Sequence, residues 1–186
     1  IAKVGVTVSA YTLDGTLVGS SVTSLGWGFG LSVPPGRYYL RTVTPNSMNL
    51  VDEIHNDRVC VPGCDYTTGQ PVTVTPTETV RVDFALTFGG MISGRVIDGV
   101  TDRGVPHITV EVSTASGEPV TTTLTGPRGI YSFSSLPTGS YRVRTLDAGA
   151  WGYANTLYAG LPCGGCAVTT GTPVQVTAGA AVQNVD

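Results

Sequence analysis

Four cysteines are the residues in this chain most able to do chemistry, and they come as two tight pairs, Cys60-Val61-Pro62-Gly63-Cys64 and Cys163-Gly164-Gly165-Cys166. Read as local disulfides, Cys60 with Cys64 and Cys163 with Cys166, each pair shapes one short loop and requires an oxidising compartment. Two such pairs meeting in space would instead offer a tetrahedral zinc site. Against zinc, the pairs hold equivalent places in a repeated sequence, and tandem domains keep equivalent loops a domain length apart. A thioredoxin-type redox role needs its cysteine at a helix N-terminus, and no helical periodicity is present here.

The remaining chemistry-bearing residues are sparse. His55 and His107 are the only histidines, and neither has a plausible nucleophile beside it. The stretch Asp52-Glu53-Ile54-His55-Asn56-Asp57-Arg58 offers carboxylates for a small cation or sugar site, yet lacks the ligand spacing of an EF-hand, and a solvated loop accounts for it more simply. Gly26-Trp27-Gly28-Phe29-Gly30 is glycine-rich but has no helix to follow, so it reads as a strand flanked by turn glycine rather than a phosphate cradle. No Gly-x-Ser-x-Gly elbow occurs. The expectation is therefore a protein that is not an enzyme and carries no cofactor and no metal. Trp151, Tyr153 and Tyr158, in the irregular run before the second cysteine pair, are candidate ligand contacts, since exposed rings stack on sugar faces; packing around the cysteine loop is the simpler role.

The elements that would position these residues are strands. Alternation is clear in Thr79–Leu86, Thr109–Val112, Ser140–Thr145 and Pro173–Thr177, and turn signals such as Asp14-Gly15, Pro34-Pro35-Gly36, Asp98-Gly99 and Pro137-Thr138-Gly139 separate the runs. The chain also repeats itself. Tyr66-Thr67-Thr68-Gly69-Gln70-Pro71-Val72 returns as Val168-Thr169-Thr170-Gly171-Thr172-Pro173-Val174, and Gly36-Arg37-Tyr38-Tyr39-Leu40-Arg41-Thr42 as Gly139-Ser140-Tyr141-Arg142-Val143-Arg144-Thr145. The offset of 102 to 103 residues is one small domain. The spacing predicts two tandem β-sandwich domains, residues 1–88 and 89–186, joined near Thr87-Phe88-Gly89-Gly90.

Composition agrees with this class. Of 186 residues only 12% are charged, about half the usual share, and the net charge is −3. A surface of hydroxyls with no basic cluster has no electrostatic footprint for nucleic acid. No apolar run is long enough for a helical membrane span.

In the second copy, Ile92-Ser93-Gly94-Arg95-Val96-Ile97-Asp98 is followed by Gly104-Val105-Pro106-His107-Ile108-Thr109-Val110, then Thr125-Gly126-Pro127-Arg128-Gly129-Ile130-Tyr131-Ser132-Phe133 and Leu136-Pro137-Thr138-Gly139-Ser140-Tyr141. This resembles the bacterial carboxypeptidase regulatory-like domain, a transthyretin-like, Ig-like or Cna-B-like sandwich common in tandem in secreted and surface proteins. The resemblance covers most of 91–186 and, more weakly, 1–86. It implies an all-β fold of antiparallel sandwiches and a role as scaffold, stalk or spacer. Two departures stand out: Gly126 takes a place usually held by Asp, and Lys3 is the only lysine, so the second copy cannot form the Lys–Asn isopeptide bond of Cna-B relatives.

The copies are unequal. Val6-Thr7-Val8 aligns with Ile108-Thr109-Val110, which leaves the first copy without a counterpart of Met91–Asp98; two full periods would need about 20 more residues. Such a domain exposes unpaired backbone and an open apolar groove. The strand then lies upstream in a longer chain or comes from a neighbour. The functional expectation is a structural subunit or repeat of an extracellular filament, fimbria or surface stalk, with copies of itself as partners. An adhesin or carbohydrate-binding module, with surface glycans as partners, or an accessory domain of a secreted hydrolase, are the alternatives. The expected location is extracellular or at the cell surface.

Overall fold

The computed structural model describes residues 3–26, 28–61 and 64–186, so Trp27 of the glycine-rich stretch and Pro62-Gly63 of the first cysteine loop lie outside the described residues. The chain divides into two compact units, Ile1–Phe88 and Gly89–Asp186.

Unit 1 is built on one six-stranded sheet. Its strands are β1 (Thr7–Tyr11), β2 (Leu17–Val22), β3 (Gly36–Val43), β4 (Glu53–Ile54), β5 (Arg58–Val59) and β6 (Val72–Val74). The order is β2-β1-β3-β4-β5, with β6 also pairing β3. Alternation turns Tyr38, Leu40 and Thr42 of β3 inward, over Val8 and Ala10 of β1.

Unit 2 carries the same sheet and a second one. β7 (Gly90–Arg95), β8 (Thr109–Thr114), β9 (Pro119–Leu124), β10 (Ile130–Leu136), β11 (Gly139–Leu146), β12 (Thr156–Leu157), β13 (Leu161–Pro162), β14 (Val174–Val176) and β15 (Ala181–Val182) follow in chain order. The six-stranded sheet runs β13-β12-β11-β8-β9, with β14 also on β11, and the facing layer is the three-stranded sheet β10-β7-β15. All pairings are antiparallel except β7 with β15, which is parallel. Ile92, Val110, Val112, Tyr131, Phe133, Leu136 and Val143 fill the space between the layers.

The repeat is legible in shared polar pins. Tyr38 and Tyr141 donate to the carbonyls of Pro34 and Pro137 at 2.7 and 2.8 Å. The amides of Val6 and Ile108 donate to the hydroxyls of Thr23 and Thr125, both at 2.9 Å. The amides of Cys60 and Cys163 donate to the carbonyls of Asp52 and Asn155, both at 2.7 Å. Each cysteine pair is a local disulfide, Cys60–Cys64 and Cys163–Cys166, with Cα separations of 5.3 and 5.0 Å. Cys60 and Cys163 are buried, so each bridge ties its loop into the edge of the sheet. In unit 2 Cys163 packs with Leu157 and Val168.

One expected strand is not formed. The alternation of Thr79–Leu86 is real in burial, with Val82, Phe84 and Leu86 half-buried between exposed neighbours, yet this segment belongs to no sheet. The physical reason is pairing: its counterpart in unit 2 pairs with β7, and among the described residues of unit 1 no strand holds the place of β7.

Candidate functional site

Two extended segments of unit 1 form the site. Phe29, Leu31 and Val33 turn inward between exposed Gly30, Ser32 and Pro34, which is the period of a strand. Residues 79–86 show the same period. Among the described residues, no backbone–backbone hydrogen bond engages 29–35 or 79–86. Strand-like segments without a ladder are uncommon in a folded domain, because main-chain donors and acceptors need partners.

Unit 2 shows what normally lies between them. By the repeat offset, Phe29 and Leu31 correspond to Tyr131 and Phe133 of β10, and 79–80 to β15. There β7 runs antiparallel to β10, with Tyr131 opposite Gly94 and Phe133 opposite Ile92, and parallel to β15, with Val182 beside Ile92. The strand is inserted tightly: a Cβ on Gly94 would sit 2.0 Å from the carbonyl oxygen of Val185, and one on Gly90 would sit 2.2 Å from Val176 Cγ1. Beyond β15 the chain stays with β7, since the Val185 amide donates to the Ser93 carbonyl and the Arg95 amide to the Asp186 carboxylate. Tyr131 donates its hydroxyl to the Val185 carbonyl, and burial pushes its pKa well above the usual tyrosine range. Ala181, Val182, Val185 and Asp186 are thus engaged within unit 2.

The groove expected in unit 1 is not open. Val8 and Ala10 are each 1% exposed, because Leu31, Val33, Val74, Val82 and Phe84 lean over the core. Phe29 and Phe84, one from each segment, meet with ring centroids 6.2 Å apart. Apolar surface has closed over itself; the main chain of the two segments has found no strand partner among the described residues.

At one end of the site lies Glu53. Arg41 pairs with Ile54 across β3 and β4, so Thr42 and Glu53 share the inner face, and the Glu53 amide donates to Thr42 Oγ1 at 2.7 Å. Glu53 is 5% exposed and its Oε2 has no hydrogen-bond partner. Desolvation raises its pKa above the ordinary glutamate value, Asp57 adds to the rise, and the Ala85 amide, from the second unpaired segment, opposes it. The acidic stretch read as a solvated loop therefore contains a buried carboxylate. The repeat held the signal: Glu53 aligns with Thr156, which unit 2 places on a strand. Asp52 also titrates above the usual range, because burial outweighs the Thr44 hydrogen bonds and Arg41.

The other singled-out residues are scattered. His55 Nδ1 lies 3.0 Å from the Gln70 carbonyl, and His107 stacks on Trp151 with centroids 5.8 Å apart. Tyr153 donates to Asp98 Oδ2 at 3.0 Å. The amides of Thr101 and Val100, with Tyr153, hold the Asp98 carboxyl below the usual range. Trp151 and Tyr153 are exposed, whereas Tyr158 is half-buried. The three aromatic candidates thus do not share one set of partners.

The family model described as the carboxypeptidase regulatory-like domain matches residues 91–186. A search of the curated proteins finds no match. Among solved structures, the Bacillus anthracis TIE protein aligns at 16% identity over 97% of this chain and 29% of its own, with a TM-score of 0.38. GBS52, the minor pilin of Streptococcus agalactiae, aligns at 14% identity over 98% of this chain and 81% of its own, with a TM-score of 0.37. A streptococcal ancillary pilin aligns at 15% identity over 99% and 57%, with a TM-score of 0.34. The chain spans less than two thirds of the first and third of these.

Proposed function

The chain belongs to the carboxypeptidase regulatory-like domain family through residues 91–186, and from that premise we propose that it is a structural repeat of an extracellular filament or surface stalk, in which the strand beside 29–34 and 79–86 of unit 1 is supplied by an upstream part of a longer chain or by a neighbouring chain. The observation that carries this reading is the pair of unpaired extended segments, 29–34 and 79–86, flanking the position that β7 fills in unit 2. Main-chain hydrogen bonds to both segments would supply association energy, and the inward side chains its selectivity. Copies of the same chain are the natural partners in such an array. The two disulfides fit an oxidising, extracellular setting.

A second reading rests on Trp151, which is 55% exposed and held by its stack on His107. An oriented exposed indole is the kind of platform on which a sugar ring stacks, so an adhesin-like glycan contact is the alternative.

Electron microscopy of the concentrated protein separates the two. Regular fibres or end-to-end oligomers, lost in a Val82→Pro variant that cannot offer its amide to a strand, are expected. Monodisperse monomers at every concentration would count against the structural role, and a glycan-array signal abolished by Trp151→Ala would favour the second.

A further inference from the structure

The sequence shows no basic run, yet the fold of unit 2 gathers three arginines in one place. Arg95, Arg103 and Arg128 line an open cleft of about 650 Å³ at the end of β7. Arg95 lies opposite Ile130 of β10, so the two side chains share the outer face of that sheet. The loop 98–104 brings in Arg103, and the turn Gly126–Gly129 brings in Arg128, whose carbonyl accepts from Arg95 Nε at 3.4 Å. Glycine lets the two arms meet. A Cβ on Gly104 would sit 1.9 Å from the Arg128 carbonyl oxygen, so the missing side chain is what draws the backbone beside Arg103 onto that of Arg128.

Both arms are fixed by their own hydrogen bonds. The Asp98 carboxylate accepts from the amides of Val100 and Thr101 at 2.8 and 2.9 Å, and the Asp98 amide donates to the Arg103 carbonyl at 2.8 Å. In the other arm the Gly129 amide donates to the Gly126 carbonyl at 2.8 Å, and the Val96 amide to the Gly129 carbonyl at 2.9 Å. The charges are less well matched than the backbone. Asp102 is the carboxylate lining the cleft, and Asp186 lies beside β7, where it accepts the Arg95 amide. Among the described residues the ion pairs are Arg81 with Asp83 and Arg144 with Glu111, so none of the three cleft arginines is in one. The first copy has Gly26 in the place of Arg128, which makes the grouping a property of unit 2.

Each guanidinium fork can donate two parallel hydrogen bonds to a carboxylate. Three of them along an open cleft suit a polymer that carries such groups at intervals. Pro127 and the exposed side chain of Ile130 add an apolar surface on which the carbon face of a sugar ring can lie. The chain as a whole is acidic, with a net charge of −3, so a nucleic acid, with a phosphate at every nucleotide, meets repulsion beyond the cleft. We propose that the cleft binds an acidic polysaccharide whose carboxylates are separated by neutral sugars, with Arg95, Arg103 and Arg128 holding the carboxylates. This goes beyond the structural role proposed above and does not depend on it or on Trp151.

The test titrates residues 1–186 at low salt with hyaluronan, which has a carboxylate on alternate sugars, with its carboxyl-reduced neutral form, with polyglutamate and with polyuridylate. Binding is read from the amide shifts of Gly104, Gly129 and Ile130. Hyaluronan is expected to move them and the neutral form to leave them in place. An Arg103→Gln/Arg128→Gln variant should bind hyaluronan about tenfold more weakly. An Arg37→Gln/Arg142→Gln variant, which removes the same charge outside the cleft, should change binding less than about twofold. Equal losses in the two variants would reduce the effect to general charge attraction and overturn the site. Tighter binding of polyuridylate or polyglutamate at the same amides would overturn the polysaccharide assignment, as would equal binding of the neutral form. If hyaluronan moves none of those amides, the proposal fails.

Discussion

Glu53 and Thr156 hold the same place in the two units, and the difference between them is a charge. In unit 1 that charge is buried, so the protonated form is favoured in the folded state and the pKa is raised by desolvation. The sign follows from linkage. Between the ordinary glutamate pKa and the raised one, the native state binds more protons than the unfolded chain, so stability is greatest below this window and falls as pH rises through it. Replacing the carboxylate by its neutral isostere should therefore help only where the carboxylate is ionised. Glu53→Gln is expected to stabilise unit 1 by about 1 kcal/mol at neutral pH, with the gain fading toward pH 4. Thermal melts of both proteins across that range check it; an equal shift at both ends would mean that charge is not the cause. No comparable burial of a carboxylate was visible in the stretch Asp52–Arg58, because local composition marks it as polar and only its pairing across Thr42 turns Glu53 inward.

At the scale of the element, β7 decides whether the second layer is a sheet. It is the central strand of β10-β7-β15, and its glycines allow the neighbouring backbone to approach. Gly94 lies 2.0 Å, measured from where its Cβ would be, from the Val185 carbonyl oxygen. A side chain there must push apart β7 and the terminal segment, and backbone cannot yield as a flexible side chain would. Gly94→Val is expected to destabilise unit 2 by about 3 kcal/mol, seen in calorimetry as a lowered transition for that unit alone. The unpaired segments of unit 1 are the converse case. Their sequence alternates as a strand should, and their side chains bury accordingly, but a strand is defined by its neighbour.

For the whole molecule, the two units share a sheet and differ in a layer, so they should differ in local stability. Amide protection follows hydrogen bonding and burial. Hydrogen exchange is expected to be fast at 29–34 and 79–86 and slow at the matching residues of β10 and β15. A completing strand should protect both unit 1 segments together. Uniform protection across both units in the isolated protein would contradict the unpaired assignment.

The repeat, the turn signals and the period-2 runs were enough to determine an all-β chain of two related units, the family of the second, and the local cysteine pairs, since each depends on residues close in sequence or on self-comparison. The inequality of the copies was also readable, through the missing counterpart of Met91–Asp98. Only the tertiary structure decided what that absence does. It showed Val8 and Ala10 covered rather than exposed, because apolar side chains can collapse inward from any backbone, while main-chain donors and acceptors need a partner at a fixed distance and direction. It also placed Glu53 inside. Hydrophobic closure is non-directional and β-pairing is not, which is why unit 1 could bury its core and still leave two segments without a strand.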